Sequence, residues 1–567
     1  MTRSKLEPKL LTVLKEGISG KTLLHDLSAG VIVGIVALPL AIAFAIASGA
    51  KPEQGLYTAI VAGFLISLLS GSRVQIGGPT GAFVVIIYGV IQKYGYSGLV
   101  TATILAGIML ILMGVFRLGV IIKYIPYPVT VGFTTGIAVL IAVSQFKDFF
   151  GLELTNLPAE FLGKLEIYAQ GFGSINFWAA GIGLFTVLLL ILLPKLWPKF
   201  PASLLAVVIT TLAVKLFNLP VQTIKTLFGS VQASFGSLSF PSIDFLKIPE
   251  LLPSAVAIAF LAGIESLLSA VVADGMTGRR HRSNMELVAQ GVANIASVCF
   301  GGIPATGAIA RTATNIKNGG TTPFAGIFHA VTLLLIMLFL GEYVSFIPMA
   351  TLAGILMVVS YRMSEIHLFV KLLKSPKSDI LVLLVTFVLT LLLDLAVAIQ
   401  VGIVLAALLF MRRMSSVTNA EYVTSKAVEI EDVEEEVDAE SIRGLTVPPD
   451  VEIFEINGPF FFGAADKFRS QISLIEKKPK ILILRLRKVS AVDATALYAL
   501  EDIIDRSKRD HMTIILSGLQ PAPKKVLENY GLAKKLGNEN ITNGINSAIA
   551  RAESLLGGKN KDKELRR

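Results

Sequence analysis

The stretch GGIPATGAIARTAT, residues 301–314, opens with glycine and proline, lies between long apolar runs, and carries an arginine, Arg311. An earlier stretch with a similar opening, GGPTGAFVVIIYGV, covers residues 77–90. Each is too short and too interrupted to cross a bilayer as one regular helix, which takes about 20 apolar residues. The fold depends on how these two broken segments fit among the apolar runs around them.

The composition is that of an integral membrane protein. Of 567 residues, 53% are hydrophobic and only 16% are charged, with a mean hydropathy of +0.70, whereas soluble domains have about 25% charged residues. A single cysteine, Cys299, excludes an internal disulfide. Residues 1–26 lack the apolar core and cleavage site of a signal peptide, so we expect the first span to stay in the mature protein.

We predict fourteen membrane spans, with the two broken segments as the third and the tenth. The spans lie near 27–50, 54–71, 76–92, 98–116, 128–148, 174–194, 201–218, 252–273, 286–300, 304–316, 322–341, 345–361, 378–395 and 396–411. With this count, most lysines and arginines of the loops fall on one side of the membrane, together with both ends of the chain. Because short cytoplasmic loops are enriched in these residues, both ends are predicted to be cytoplasmic. The asymmetry explains most of the net charge of +10. Membrane lipid is therefore an expected partner, and nucleic acid is not.

The two broken spans are seven apart, as two repeats of seven spans would place them. Interrupted spans at corresponding places in two halves indicate a transporter binding site. If each is a half-helix that begins near mid-membrane, at Pro79 and Pro304, its first N–H groups lack partners and suit an anion. Close helix packing by the glycines is the alternative. The small residues that would let a ligand approach the backbone are Thr80, Gly81, Thr306 and Gly307.

Glu265, in FLAGIESLLSA, is the clearest ionisable residue deep within a span. Such residues cost about 2.5 to 3.5 kcal/mol on insertion scales and are usually functional. A carboxyl group there can hold a proton and release it when a cation or water arrives, which predicts an ion-coupling site. Ser269, one turn further on, would complete a polar pocket. The alternative is a structural acid hydrogen-bonded to a broken helix.

Other ionisable residues have plainer interpretations. Asp26 and Asp394 lie near span ends, and Asp274 lies beside the arginines of residues 279–282, so all three are predicted to be interfacial. The five histidines show no metal-ligand spacing. Neither a metal nor another cofactor is predicted.

Several long motifs resemble the sulfate permease (SulP) family. They are DLSAGVIVGIVALPLAIAFAIASGAKPEQGLYTAIVAGFLISLLSGSRVQIGGPTGAFVV, then IPYPVTVGFTTGIAV, and the block VVADGMTGRRHRSNMELVAQGVANIASVCFGGIPATGAIARTATN. The resemblance covers nearly the whole chain. It implies a seven-plus-seven inverted repeat, with a core domain of spans 1–4 and 8–11 and a gate domain of spans 5–7 and 12–14. It also implies an elevator motion of the core against the gate, and a homodimer.

The resemblance further implies an anion site formed by Phe44, Thr80, Gly81, Ala310 and Arg311. Some relatives have Gln where Leu40 stands and Ser where Ala310 stands, so here the backbone N–H groups and the arginine would contribute more.

A helix that begins at Pro304 would put Arg311 about two turns further along. The backbone of residues 306–310, including Ala308, is therefore expected to matter as much as the arginine.

The eighth span distinguishes among relatives. Sodium-coupled bicarbonate carriers of cyanobacteria resemble this chain but have Asp at Glu265 and Thr at Ser269, whereas proton-coupled relatives have Glu. The sequence therefore favours H⁺ symport over Na⁺ symport of a small oxyanion of the sulfate or bicarbonate class, with a dicarboxylate as the nearest alternative.

Two other classes stay open: an anion channel or exchanger of the same fold, and a non-transporting anchor for the soluble tail. An enzyme is not predicted, because no nucleophile and base occur at informative spacing and no GxxxxGK[ST] phosphate cradle is present.

After the transport domain (27–413) we predict an acidic linker (414–448), an α/β domain (449–556) and a charged tail (557–567). VEIFEIN, ILILRLR and MTIILSG are predicted strands, with helices from about Ala464 and Ala494 and two more helices further on. GPFFFGAADKF and KVSAVDATALYALEDI resemble the STAS fold of bacterial anti-sigma-factor antagonists. Those carry a phosphorylated Ser directly after a loop Asp, where this chain has Ala494. We interpret the domain as serving folding, dimer contact or regulation.

Overall fold

Long apolar stretches form helices here because a helix in lipid pairs its backbone groups within its own segment. The computed structural model describes residues 6–119, 126–154, 157–158, 160–197, 201–230, 247–393, 395–417, 419–422, 447–461, 465, 468, 472 and 479–564. The chain divides into two compact units, Met1–Ala406 and Ala407–Arg567.

Helices account for most of the chain up to residue 417. In chain order they are α1 (Lys9–Glu16), α2 (Gly20–Ala47), α3 (Pro52–Leu69), α4 (Val84–Val115), α5 (Tyr127–Ser144), α6 (Phe146–Phe150), α7 (Phe161–Gly171), α8 (Phe177–Leu196), α9 (Ala202–Phe217), α10 (Ile224–Phe228), α11 (Ile248–Thr277), α12 (Ser283–Cys299), α13 (Ile309–Lys317), α14 (Phe324–Val344), α15 (Met349–Met363), α16 (Ile366–Leu372), α17 (Lys377–Leu392) and α18 (Leu395–Val417).

Every predicted span overlaps one of these helices. The third and fourth spans fall on the two arms of α4, which is interrupted at Gly95 by a positive φ of 69°. Helix α2 begins earlier than the first predicted span, at Gly20, where Ser19 caps it. Within the described residues nine helices are long and apolar enough to cross a membrane. The number fourteen therefore stays a prediction.

The two broken segments meet in a small antiparallel sheet. Strand β1 (Gly77–Gly78) pairs with β2 (Thr306–Gly307), so that Gly77 lies opposite Gly307. From β1 the chain enters α4 through a 3-10 turn, Gly81–Phe83. From β2 it enters α13 at Ile309. The expected helix start at Pro304 is therefore wrong, because residues 306–307 form a strand of the sheet. Arg311 consequently lies in the first turn of α13.

The helices of the first unit pack in two groups. In one, α4 packs against α11 and α12, and α2 packs against α3 and α14. In the other, α5 packs against α15 and α17, and α8 packs against α9 and α15. These groups correspond to the core and the gate that the resemblance implies. Both broken segments belong to the core group.

Glycines permit the close contact between α4 and α12. A Cβ at Gly107 would come within 2.8 Å of the backbone oxygen of Gly291, and a Cβ at Gly291 would overlap the backbone oxygen of Gly107. Small residues at such a crossing let two helix backbones approach closely in a membrane.

Gly291→Ala should therefore destabilise the transport unit by about 1 to 3 kcal/mol, the usual cost of overpacking. Gly275→Ala on α11 is the matched control, because a Cβ there meets nothing within 4 Å. It should be neutral or slightly stabilising. Thermal unfolding of the two purified variants in detergent, followed by size-exclusion profile, measures the difference. Equal stability of the two would contradict the packing described.

The second unit contains an α/β domain. Its strands are β3 (Asn419–Tyr422), β4 (Val451–Asn457), β5 (Ile481–Lys488), β6 (Thr513–Ser517) and β7 (Ile541–Thr542), in that order across the sheet. Strands β4 to β7 run parallel, and β3 is antiparallel to β4. The helices are α19 (Ala494–Arg509), α20 (Pro521–Tyr530), α21 (Leu532–Leu536) and α22 (Ile545–Glu564).

The three predicted strands and the helix from Ala494 are confirmed in this domain, and Asp493 caps that helix by accepting from the backbone N of Ala496 at 2.8 Å. Strand β3 lies inside the predicted linker and was not expected, because four residues carry little periodicity. Most of the acidic linker, the region of the helix expected from Ala464, and Asp394 lie outside the described residues.

Candidate anion site

Arg311 is held at the junction of the two broken segments. It lies in the first turn of α13 and is only 3% exposed. Its Nη2 donates a hydrogen bond of 2.6 Å to the backbone oxygen of Pro79. Gly78, at a φ of 150°, lies directly against Nη1, so that a Cβ there would overlap the guanidinium. The arginine therefore ties the second broken segment to the first, and glycine is needed at the point of contact.

Neither half-helix has a side-chain cap at its N-terminus. The N-cap of α13 is Ala308, which has no acceptor, and the N-cap of the 3-10 turn is Thr80, whose side chain makes no cap hydrogen bond. The first N–H groups of a helix lack intrahelical partners and carry partial positive charge. The N–H of Ala308 itself is used, since it donates to the Ile76 oxygen at 2.8 Å. Together with Arg311, the two N-termini form a positive, donor-rich junction.

The hydroxyl of Thr80 is directed at Glu265 instead. Thr80 Oγ1 donates to Glu265 Oε2 at 2.9 Å. Glu265 lies on α11, which packs against β2, α13 and the 3-10 turn. It is partly exposed, whereas its neighbour Ser266 is fully buried. The carboxylate thus contacts the N-cap of the first broken helix. This contact agrees with an ion-coupling role of Glu265, and equally with a structural acid that is hydrogen-bonded to a broken helix.

Phe44 and Gly81 lie together beside this junction. A Cβ built on Gly81 would contact Phe44 Cε1 and Ile141 Cδ1, each at 3.2 Å, and Met363 Sδ at 3.4 Å. Ile141 is on α5 and Met363 on α15, which belong to the gate group. Gly81 is therefore at the boundary between the two helix groups, where a Cβ would require these side chains to shift by a few tenths of an ångström.

The remaining candidates lie around the junction rather than in it. Ala310 is exposed next to Arg311. Thr306 is fully buried and donates its hydroxyl to the Ala262 oxygen at 2.9 Å, and Gly307 lies against the side chain of Gln75. Ser269 is also buried and forms a hydrogen bond of 3.3 Å with Thr312. Thr306 and Ser269 thus have protein partners, and the pocket expected from Glu265 and Ser269 together is not formed by a direct contact between them.

A buried acid that the sequence did not single out lies behind the junction. Glu286 of α12 accepts hydrogen bonds from Ser266 Oγ at 2.7 Å, Gln290 Nε2 at 2.9 Å, the Gly71 N–H at 3.1 Å and the Ser70 hydroxyl. The available signal was the recurrence of polar residues every four positions along α12, at Glu286, Gln290 and Asn294, which places them on one helix face. This network joins α3, α11 and α12.

The interfacial interpretation of Asp26 is wrong. Asp26 is fully buried and accepts from the N–H groups of Thr321 and Thr322, at 2.7 and 3.2 Å, and from the Thr322 hydroxyl. It therefore binds the loop that leads into α14. Asp274 is partly exposed and pairs with His281 at 2.7 Å. Over the residues that the structure describes, no group of three or more His, Cys, Asp or Glu could hold a metal ion.

Comparison with known proteins identifies the architecture. The sequence model of the sulfate permease family matches residues 23–386, and that of the STAS domain matches residues 444–548. The chain belongs to the sulfate permease family. The resemblance drawn from the motifs is thereby confirmed, as is the C-terminal STAS domain.

Two curated relatives cover almost the whole chain. The putative sulfate transporter YvdB of Bacillus subtilis is 43% identical over 518 residues, which are 91% of this chain and 95% of that protein. The bicarbonate transporter BicA of Synechocystis is 30% identical over 551 residues, or 95% of each chain. Among solved structures, the murine Solute Carrier 26 family member A9 anion transporter, in the inward-facing state, matches with a TM-score of 0.84. At 18% identity over 96% of this chain and 94% of that one, it confirms the helical membrane transporter fold.

Arg311→Ala should weaken anion binding by roughly tenfold or more, because a hydrogen bond to a charged group contributes about 1.5 to 3 kcal/mol. Thr314→Ala is the control on the same helix, since the exposed Thr314 hydroxyl donates to the Ala310 oxygen one turn back. Thermal stabilisation of each purified variant by sulfate and by bicarbonate gives the affinity. An Arg311→Ala protein that expresses poorly and aggregates would instead assign the arginine a structural role through Pro79.

Proposed function

We propose that this protein transports a small oxyanion of the sulfate or bicarbonate class across the cytoplasmic membrane by secondary active transport. The observation that carries the proposal is the junction itself, where two uncapped helix N-termini and the buried guanidinium of Arg311 meet. Such a junction suits an anion. The names of two relatives, a sulfate transporter and a bicarbonate transporter, support the substrate class.

The lining of the site favours a class of substrates over a single one. The side chains of Phe44 and Ala310 offer no hydrogen-bond donor, and the Thr80 hydroxyl is engaged by Glu265. Recognition is therefore left to Arg311 and to backbone N–H groups at Gly81 and Ala310. Guanidinium and amide donors bind the oxygens of sulfate, bicarbonate or a carboxylate alike. An H⁺-coupled dicarboxylate symporter is thus the nearest alternative.

Proton coupling would act through Glu265 and Thr80. An ionised Glu265 repels an arriving anion and holds the Thr80 hydroxyl as its donor. Protonation of the carboxyl group removes the repulsion and releases Thr80 Oγ1, so the anion and the proton bind best together. That linkage is what symport requires.

Sodium coupling has less support. A hard cation needs several oxygen ligands, and Ser269, which could have supplied one beside Glu265, is bonded to Thr312. A Na⁺-coupled bicarbonate symporter therefore remains the alternative rather than the proposal.

An elevator mechanism fits the packing of the first unit. Arg311, Thr80 and Glu265 all belong to the core group, while Ile141 and Met363 approach Gly81 from the gate group. A vertical displacement of the core against these gate residues would carry the junction from one side to the other. We further propose that both ends of the chain are cytoplasmic, that the protein is a homodimer, and that the STAS domain serves folding, dimer contact or regulation.

The test is uptake of labelled sulfate, bicarbonate and fumarate into proteoliposomes, each with an imposed proton or sodium gradient. For the wild type we expect proton-driven uptake of one of the first two anions. Glu265→Gln should reduce gradient-driven uptake at least tenfold while anion exchange persists, because the site is kept and the titrating group is lost. Glu342→Gln, an exposed acid on α14, is the control and should transport as wild type does.

The other outcomes separate the alternatives. If a sodium gradient drives uptake, the coupling ion is Na⁺ and not H⁺. If fumarate is taken up, the substrate is a dicarboxylate and not a sulfate-class oxyanion. Conductance without any coupling gradient would identify a channel of the same fold. Unchanged proton-driven uptake in Glu265→Gln would contradict the role of Glu265.

A further inference from the structure

His329 lies within the core group, and its ring has no hydrogen-bond partner in the part of the chain that the structure describes. It is on α14, and its side chain is completely buried. Neither Nδ1 nor Nε2 has a hydrogen-bond partner among the described residues. The ring lies against Gly63 of α3, where a Cβ would come within 3.6 Å of Nδ1 and 3.2 Å of the Gly77 oxygen. Nδ1 of His329 and the Gly77 oxygen of β1 therefore both border the same position beside Gly63.

The anion-binding arginine has an unpaired atom in the same region. Nη2 of Arg311 donates to Pro79, but Nη1 is buried and has no partner among the residues described. Nη1 lies against Gly78, whose Cβ position is 3.5 Å from the Cα of Ala59. Ala59 and Gly63 are one turn apart on α3, or about 6 Å along the helix axis. His329 and Nη1 therefore lie against neighbouring turns of one helix, next to consecutive glycines of β1.

Unpaired buried nitrogens are costly. A buried donor or acceptor without a partner costs about 1 to 3 kcal/mol, and most such groups in native proteins are satisfied by protein or by ordered water. Two hydrogen bonds of about 2.8 Å that meet at the roughly tetrahedral angle of one water join atoms about 4.5 Å apart. One water can therefore serve two buried nitrogens that lie in the same small region.

The donors and acceptors also match. An arginine nitrogen can only donate, while a neutral imidazole has one donor and one acceptor nitrogen. A water molecule can accept from Nη1–H of Arg311 and donate to the acceptor nitrogen of His329. A direct hydrogen bond between Nη1 and the ring is not present among the described residues.

The backbone of α14 holds the ring in this place. Cβ atoms built on Gly30 and Gly34 of α2 would lie 3.0 Å from the His329 N and 3.2 Å from the His329 oxygen. These contacts fix the backbone of His329 relative to α2.

We propose that one ordered water bridges Arg311 Nη1 to a ring nitrogen of His329, which makes His329 a positioning residue for the arginine that binds the anion. The inference rests on the proposed function. Through the bridge, the two nitrogens of the guanidinium are both fixed, Nη2 by Pro79 and Nη1 by the water. The orientation of the guanidinium is then fixed, and its remaining N–H groups are directed toward the junction.

Substitutions at His329 separate positioning from packing. His329→Leu removes both ring nitrogens, and we expect the KM for the transported anion to rise roughly tenfold while Vmax changes less than twofold. His329→Gln, which keeps a donor and an acceptor near Nε2, should restore KM to within about threefold of the wild type. His367→Leu and His367→Gln, at an exposed histidine of α16, are the matched controls. A KM equal to that of the wild type in His329→Leu would overturn the proposal, as would a KM raised equally in the Gln and Leu variants.

A structure of the wild-type protein with resolved waters provides the second measurement, which does not depend on transport. We expect density for one water within about 3.2 Å of both Arg311 Nη1 and a ring nitrogen of His329. A direct contact between the two side chains, or an empty space between them, would overturn the inference. If the wild type took up neither sulfate nor bicarbonate, the proposed function would fail, whereas this structural result would still decide the bridge.

Discussion

Backbone groups inside a bilayer must be paired, and the pairing of β1 with β2 is the constraint on which the rest of the transport unit depends. Two residues from each half of the chain form this sheet, and it allows both α4 and α13 to begin deep within the fold. Without it the extended segments before the two helices would leave N–H and oxygen atoms unpaired in an apolar surrounding. Glycine at positions 77, 78 and 307 follows from the close contacts with Ile66, Arg311 and Gln75.

The positions of the functional groups depend on this sheet. Ending the strands at Gly78 and Gly307 puts two helix N-termini side by side, and the guanidinium of Arg311 crosses between them to Pro79. Glu265 reaches the same place from α11 and takes the Thr80 hydroxyl that would otherwise cap the first N-terminus. The positive junction and Glu265 are thus linked through the side chain of Thr80. Behind them, Glu286 and Asp26 satisfy loop and helix ends that would otherwise be unpaired.

Much of this arrangement could be predicted from the sequence, because apolar length and glycine–proline interruptions are local signals. The approximate positions of the helices, the two broken segments and the placement of Glu265 within α11 all came from such signals. The start of α13 at Ile309 did not, since strand pairing between residues 77–78 and 306–307 is a tertiary contact. For the same reason the partners of Asp26, Glu286 and Thr306 were missed, as each binds a residue far along the chain or on another helix. His329 was noted only for lacking metal-ligand spacing, because its sequence neighbours carry no polar pattern.

The central claim is that anion and proton bind to one junction and assist each other. Proton uptake during anion binding tests it most directly, measured by titration calorimetry of the detergent-solubilised protein in buffers of different ionisation enthalpy. The account predicts that binding of sulfate or bicarbonate to the wild type takes up protons from the buffer near neutral pH, and that this uptake disappears in Glu265→Gln while binding persists. Anion binding to the wild type without any proton uptake, or the same uptake in Glu265→Gln, would contradict it.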